Sequence, residues 1–156
     1  MFSKLITSDH FRVKKNLFLY SLSNSSKSSV VYKMRNSRLM RMHSFNKEKI
    51  DLKKHHVWFK KFIKDNKIYL IKYHLTDIGY LRLEFLNKNK IEISIFIKKA
   101  FHKKGFASSV LNFAMSIHKP YTFIARVLKI NLVSEKFFRK NNFSEKNNKR
   151  KLFIVS

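Results

Sequence analysis

The stretch Ile95-Phe96-Ile97-Lys98-Lys99-Ala100-Phe101-His102-Lys103-Lys104-Gly105-Phe106-Ala107-Ser108-Ser109-Val110-Leu111 reads as the end of a strand, a basic loop and the start of a helix. Upstream, Ile91, Ile93, Ile95 and Ile97 alternate with Glu92, Ser94 and Phe96, so a strand here has one wholly apolar face and one mixed face. Downstream, Phe106, Val110, Phe113, Ala114 and Ile117 recur at helical spacing, and His118-Lys119-Pro120 ends the run. Backbone N–H groups at a helix start have no intrahelical acceptor, which makes the junction suited to a phosphate. Lys103 and Lys104 add charge and His102 can donate. Gly105 permits a positive φ and close approach of a ligand, and Ala107 keeps the first turn small. The competing account of Gly105 is an ordinary turn glycine. Against it, the chain has only two glycines.

Working outward, residues 68–74 and 78–85 are apolar, β-prone runs set off by Thr76-Asp77 and by Asn87-Lys88-Asn89-Lys90. With 91–97 they predict a three-stranded antiparallel meander. Beyond the 105–117 helix, a strand is expected over 121–128, a short helix over 131–140, and strands at 143–145 and 152–155. Before the meander the spacing predicts two amphipathic helices, one over 17–31 and one over 51–64, the latter carrying Val57, Trp58, Phe62 and Ile63. No repeat or linker marks a second unit, so residues 1–156 form one α/β (α+β) domain, 1–66 helical and 67–156 carrying the sheet.

Composition narrows the function. The chain of 156 residues is 44% hydrophobic and 15% aromatic, with sixteen Phe, so it folds despite its charge. Lys plus Arg number 35 against 9 Asp plus Glu, a formal net charge of +26, which favours anionic partners. The basic residues run from Lys4 to Lys151 without forming one block, a pattern that codon bias explains better than a nucleic-acid-binding arm does. Without cysteine there is no disulfide, thiolate metal site or cysteine nucleophile. No apolar run approaches the ~18 residues of a membrane span, and Lys4, Asp9, His10 and Arg12 interrupt the N-terminus early. A cytoplasmic protein is expected.

His102-Lys103-Lys104-Gly105-Phe106-Ala107 resembles the coenzyme-A motif of the GNAT N-acetyltransferase superfamily, Gln/Arg-x-x-Gly-x-Gly/Ala, departing at His102. Asn131-x-x-Ser134-x-x-x-Phe138-x-Lys140-x-Asn142-Phe143 is similar to the same superfamily's Asn-x-x-Ser-x-x-x-Tyr-x-Lys-x-Gly-Phe. The resemblance implies a central mixed, twisted sheet of about six to seven strands with helices on both faces, and acetyl-CoA as the cofactor. The backbone of Ile95 and Ile97 would hold it beside a strand bulge. His102, Lys103, Lys104, Gly105, Phe106 and Ala107 would take its pyrophosphate, and Asn131, Ser134 and Phe138 would line its arm between two splayed strands. Asn131 reads equally as a helix N-cap. Asn142 stands where the superfamily has glycine and suits a left-handed conformation. Phe138 stands where many relatives carry a proton-donating Tyr and donates nothing. Tyr80, Tyr121 and Ser134 are candidates to replace it, as is water.

Arg35-Asn36, Met40-Arg41, Ser44-Phe45, Ile50 and His55-x-x-Trp58-Phe59 together resemble the acceptor side of members that acetylate UDP-linked 4-amino sugars in bacterial nonulosonic-acid pathways. That resemblance gives Arg35 and Arg41 to a diphosphate, Asn36 and Ser44 to sugar hydroxyls, and Phe45 or Trp58 to a ring face. Packing and solvent-facing roles compete for each of them, and for Trp58 the core is favoured. Amine acylation needs a base and an oxyanion donor; Glu92, Glu84 and His55 are the base candidates, with His43 beside them. No metal is expected. The competing classes are a basic nucleic-acid-binding domain, a related protein that acetylates a protein amine, and one without activity. A homo-oligomer is compatible with all of them.

Overall fold

A computed structural model describes residues 9–24, 27–147 and 152–155. The meander forms, with its first turn at His74-Leu75 and not at Thr76-Asp77, which open a strand: β3 (Lys67–Tyr73), β4 (Thr76–Asn87) and β5 (Lys90–Ile97) pair antiparallel in sequence. At its N-terminal side lies a hairpin, β1 (His10–Lys14) and β2 (Leu17–Ser21), with β2 paired to β3. This corrects the helix expected over 17–31. Leu17 and Leu19 are both fully buried while Phe18 and Tyr20 are partly exposed, a period of two that backbone pairing with Tyr73 and Ile71 enforces. Asn16 turns the hairpin at φ 62°, and the helical part of that stretch is confined to α1 (Ser28–Arg35).

Next come α2 (Arg38–Met42) and α3 (Leu52–Asp65). Asp51 caps α3 by accepting from Lys54 N at 3.1 Å, and the helix buries His55, Phe59 and Phe62. After β5 come α4 (Phe106–Ile117), β6 (Thr122–Arg126), α5 (Leu132–Lys140), β7 (Ser144–Asn147) and β8 (Leu152–Val155). The described sheet has eight strands in the order β1-β2-β3-β4-β5-β6-β8-β7. Only β5 and β6 run parallel, and that makes the sheet mixed.

Alternation divides the core between the two faces. Tyr69, Ile71, Leu81, Leu83, Ile91 and Ile93 face α4 and α5, meeting Phe106, Val110, Leu111, Ala114 and Phe138. Ile68, Leu70, Tyr80 and Phe96 face α1 and α3, meeting Val31, Met34, Phe59 and Phe62. Leu111 joins the buried stripe of α4, while Phe113 is only partly covered. Among the described residues no helix is long and apolar enough to cross a membrane.

Candidate cofactor cleft and acceptor pocket

The parallel pair is short. Lys90, Ile91 and Glu92 pair with Thr122, Phe123 and Ile124, after which the two strands separate although β5 runs on to Ile97 and β6 to Arg126. Lys98 N donates to Ile78 O at 2.7 Å on the β4 side. Strand alternation therefore gives the N–H groups of Phe96 and Ser94 to β4, leaves that of Ile93 to the last rung with Ile124, and turns those of Ile95 and Ile97 toward the gap. The bulge expected near 95–97 is not there: β4 and β5 stay in register from Gly79↔Ile97 to Phe85↔Ile91. Instead β4 bulges at Ile78, where Ile71 pairs with Gly79 and Lys72 with Asp77. Donors on β5 are freed by the divergence of its neighbour, with no irregularity of its own.

At the open end of the gap, a single 3-10 turn (Lys99–Phe101) leads through Lys103 at φ 60° and Gly105 at φ 75° into α4. The first bond of that helix runs from Ser109 N to Gly105 O at 3.0 Å, so the N–H groups of Phe106, Ala107 and Ser108 have no intrahelical acceptor. A Cβ on Gly105 would meet nothing within 4 Å, and the approach to these donors is open. His102 is tied down, its Nε2 lying 2.7 Å from Ile97 O, and it acts as a brace for the loop. Lys103 and Lys104 are exposed. Lys14, from β1, joins them with its Nζ 5.2 Å from the Phe106 ring centroid. Sequence spacing gave no signal for Lys14, because it reaches the loop only through the hairpin that the periodicity concealed.

On the far side of the gap, Asn131 is buried and caps α5, its Oδ1 accepting from Ser134 N at 3.1 Å. The capping reading of Asn131 therefore holds in the structure. Asn142 takes φ 67°. Phe138 is 5% exposed and packs 5.0 Å from Phe143 and 6.4 Å from Phe153 between ring centroids, which places its ring in the core. Asn141 Nδ2 donates to Ser108 Oγ at 3.2 Å, joining the end of α5 to the first turn of α4.

The acceptor-side motif folds into one loop that closes on itself. Asn36 Nδ2 donates to Ile50 O at 2.9 Å and its Oδ1 accepts from Ile50 N at 2.9 Å. Arg41 Nε donates to Asn36 O and its Nη1 to Lys47 O, each at 3.2 Å. Ser44 Oγ donates to Met40 O at 2.6 Å, and Arg35 Nη2 to Asn46 O at 3.0 Å. Asn36, Arg41 and Ser44 thus spend these groups on the loop. Phe45 is 66% exposed and, with Ser44, borders a cavity of about 320 Å³ against Val127 and Ile130. On the other side of the loop, a second cavity of about 230 Å³ is walled by Arg35, His55, Trp58, Tyr80, Arg82 and Ser94.

No protein-family model and no curated protein sequence matches the chain. Solved structures do. The ribosomal L7/L12 alpha-N-protein acetyltransferase RimL in complex with coenzyme A matches at a TM-score of 0.74 and 13% identity, over 94% of this chain and 97% of that one. Spermidine N-acetyltransferase from Vibrio cholerae, in complex with CoA and spermine, matches at 0.74 and 18%, over 90% and 93%. The microcin C7 self-immunity acetyltransferase MccE, in complex with acetyl-CoA and AMP, matches at 0.73 and 13%, over 95% of each chain. The chain has the GNAT acetyltransferase fold.

Within that GNAT fold, the three base candidates differ in setting. Glu92 lies 3.2 Å from Arg126 and 3.9 Å from Arg82, its side chain 12% exposed. Burial pushes its carboxyl up, Arg126 and Arg82 pull it back, and Glu84 raises it again. Glu84 stands opposite Glu92 in the ladder, 3.9 Å from Arg82 and more open. His55 is 1% exposed, with Nε2 3.2 Å from Ser28 O. Burial lowers its pKa first, the bond to Ser28 raises it, and His56 and Arg35 lower it, so at neutral pH the ring is uncharged. Tyr80 is pushed up to about 12 by burial and keeps its proton. Sequence reasoning missed Arg82, which reads as one polar residue in an apolar strand and gains meaning only when Arg35 is brought beside it.

Proposed function

We propose that the protein transfers an acetyl group from acetyl-CoA directly to a primary amine. The observation that carries this is the pairing of two features at one end of the sheet: β5 and β6 part after Glu92 and Ile124, and the free N-terminus of α4 stands at the mouth of the gap behind Gly105. A pantetheine arm fits between diverging strands, where it takes the unpaired donors of β5. A pyrophosphate fits a helix start ringed by Lys14, Lys103 and Lys104. Similar structures hold coenzyme A or acetyl-CoA, which supports the same cofactor here.

In this reading the N–H groups of β5 that face the gap polarise the thioester carbonyl and stabilise the oxyanion formed on attack. Glu92 accepts the ammonium proton of the acceptor, directly or through water. No acyl-enzyme forms, and with Phe138 in the core the thiolate takes its proton from water or from Ser134. The acceptor is the amine of a UDP-linked 4-amino sugar, as the motif from Arg35 to Trp58 implies, with its sugar bounded by His55 and Trp58. Calorimetric titration with acetyl-CoA, against ATP and a random oligonucleotide at the same ionic strength, tests the cofactor. Saturable one-to-one binding that exceeds both controls is expected. Equal binding of ATP, or stronger binding of the oligonucleotide, refutes the proposal.

A further inference from the structure

The 230 Å³ cavity has two arginines in its wall, Arg35 at the end of α1 and Arg82 in the middle of β4. Each holds a buried donor with no hydrogen-bond partner: Nη1 of Arg35 and Nε of Arg82. Leaving a charged donor unsatisfied costs more than the ~1–3 kcal/mol of a neutral one, and native proteins rarely do it without a reason. The two residues that carry these donors line the same cavity, and packing alone does not explain both.

Neither side chain is neutralised in place. Arg35 has no carboxylate within ion-pair distance among the described residues; its other nitrogen serves the carbonyl of Asn46. Arg82 stands 3.9 Å from Glu84 and from Glu92, at the outer limit of an ion pair, while Glu92 is held closer by Arg126 at 3.2 Å. Arg82 is steadied from the side by the Phe62 ring, 5.6 Å from its Cζ. Burial and the neighbouring Arg82 and Arg41 all press the Arg35 guanidinium toward its neutral form, with Tyr80 opposing them. Two cations confined together in a half-buried wall repel one another until an anion comes between them.

We infer that Arg35 and Arg82 form an anion subsite of the acceptor pocket, which binds a phosphate or carboxylate carried by the same small molecule whose amine is acetylated. The inference rests on the acetyltransferase reading and adds to it Arg82 as a residue that selects an anionic acceptor. A planar fork on each side suits bidentate contact with the oxygens. Tyr80, protonated throughout the physiological range, lines the same wall and adds a neutral donor. Polyamines are excluded by the same charges. Arg41, engaged with the carbonyls of Asn36 and Lys47, has no part in the subsite.

The only tryptophan of the chain, Trp58, lines this cavity, so its fluorescence reports occupancy without any turnover. Five amines are titrated: glucosamine, glucosamine 6-phosphate, muramic acid, UDP-glucosamine and spermidine. The phosphate, carboxylate or diphosphate compound is expected to bind at least tenfold tighter than glucosamine, and spermidine not at all. Which of the three binds tightest identifies the source of the anion. Arg82→Gln weakens the preferred probe at least tenfold, and Arg82→Lys restores part of that loss, while acetyl-CoA affinity stays within twofold of the parent. Circular dichroism and the unchanged acetyl-CoA affinity establish that the variants are folded. Equal binding of glucosamine and its anionic derivatives, an unaltered affinity in Arg82→Gln, or no Trp58 response to any probe each overturns the subsite. Loss of acetyl-CoA binding by the parent overturns the acetyltransferase reading instead, and the two failures are read on separate titrations.

Discussion

Replacing Gly79 by alanine probes the junction of β4 and β5 on which the cleft is built. A Cβ at this position would lie 2.0 Å from Phe96 O and 3.0 Å from Phe96 C. Carbon and carbonyl oxygen on adjacent strands approach no closer than about 3.3 Å, so the strands must part by more than about 1 Å. Both obstructing atoms are backbone, next to the end pair of a ladder that runs unbroken from Gly79↔Ile97 to Phe85↔Ile91, so no side chain can swing aside. Overpacking of this kind costs about 1–3 kcal/mol, and each ladder bond stretched beyond use adds about 1 kcal/mol. A loss of about 3 kcal/mol is expected, a large part of the roughly 5–15 kcal/mol that holds a domain together. Gly105→Ala supplies the comparison. Its Cβ meets nothing within 4 Å, but φ is +75°, so only left-handed strain of about 1–2 kcal/mol applies. Urea unfolding of the parent and both variants measures the difference. A Gly79→Ala midpoint within about 0.5 kcal/mol of the parent, with the slope unchanged, refutes the packing argument.

Gly105→Glu places a carboxylate where the phosphates belong and is expected to abolish acetyl-CoA binding by calorimetry while far-ultraviolet circular dichroism is unchanged. His118 is buried with its Nε2 unpartnered, and burial, helped by Lys67, lowers its pKa to about 4. Its unfolded value is near 6.5, so the unfolded chain binds the extra proton between those limits; stability falls as pH drops from about 6.5 to about 4, by up to ~3 kcal/mol. Urea midpoints measured across that window are less pH-dependent in His118→Leu than in the parent. Phe138→Ala is expected to cost about 3–5 kcal/mol as a core truncation. Phe138→Tyr buries a hydroxyl among Phe143 and Phe153, so it lowers the unfolding midpoint and leaves thiol release from acetyl-CoA no faster.

How much of this was legible depended on how local each feature is. The meander, α4 and α5 follow from periodicities contained within single segments, and the phosphate loop is a run of adjacent residues, so its residues appear together in sequence and in space. α3 lies where expected but turned: Val57 and Trp58, 71% and 39% exposed, leave the core to His55, Phe59 and Phe62. The β1–β2 hairpin was hidden because Leu17, Leu19 and Leu22 followed by Val30 and Val31 satisfy a helical count about as well as an alternating one. Only pairing of Leu17 with Tyr73 and Leu19 with Ile71, far away in sequence, decides between them. Lys14 was lost with the hairpin. Asn36 and Arg41 show another limit: a side chain that bonds a ligand and one that clamps its own loop have the same chemistry, and only the carbonyls of Ile50, Asn36 and Lys47 reveal which it is.

The charge of +26 bears on the site in a way that composition alone does not show. A diffuse positive field draws in any anion, and that attraction weakens with salt. It therefore raises the encounter rate of coenzyme A and of an acidic acceptor without choosing between them and a nucleic acid. Choice requires donors fixed in geometry, and the described structure concentrates them in two places. One is the start of α4, where backbone N–H groups, Lys14, Lys103 and Lys104 converge; the other is the wall shared by Arg35 and Arg82. Most lysines lie on the surface and act through the field, whereas these two arginines are partly buried and each keeps a buried donor that no protein group satisfies. If the net charge were the whole function, replacing either Arg35 or Arg82 with glutamine would leave what the chain binds unaltered.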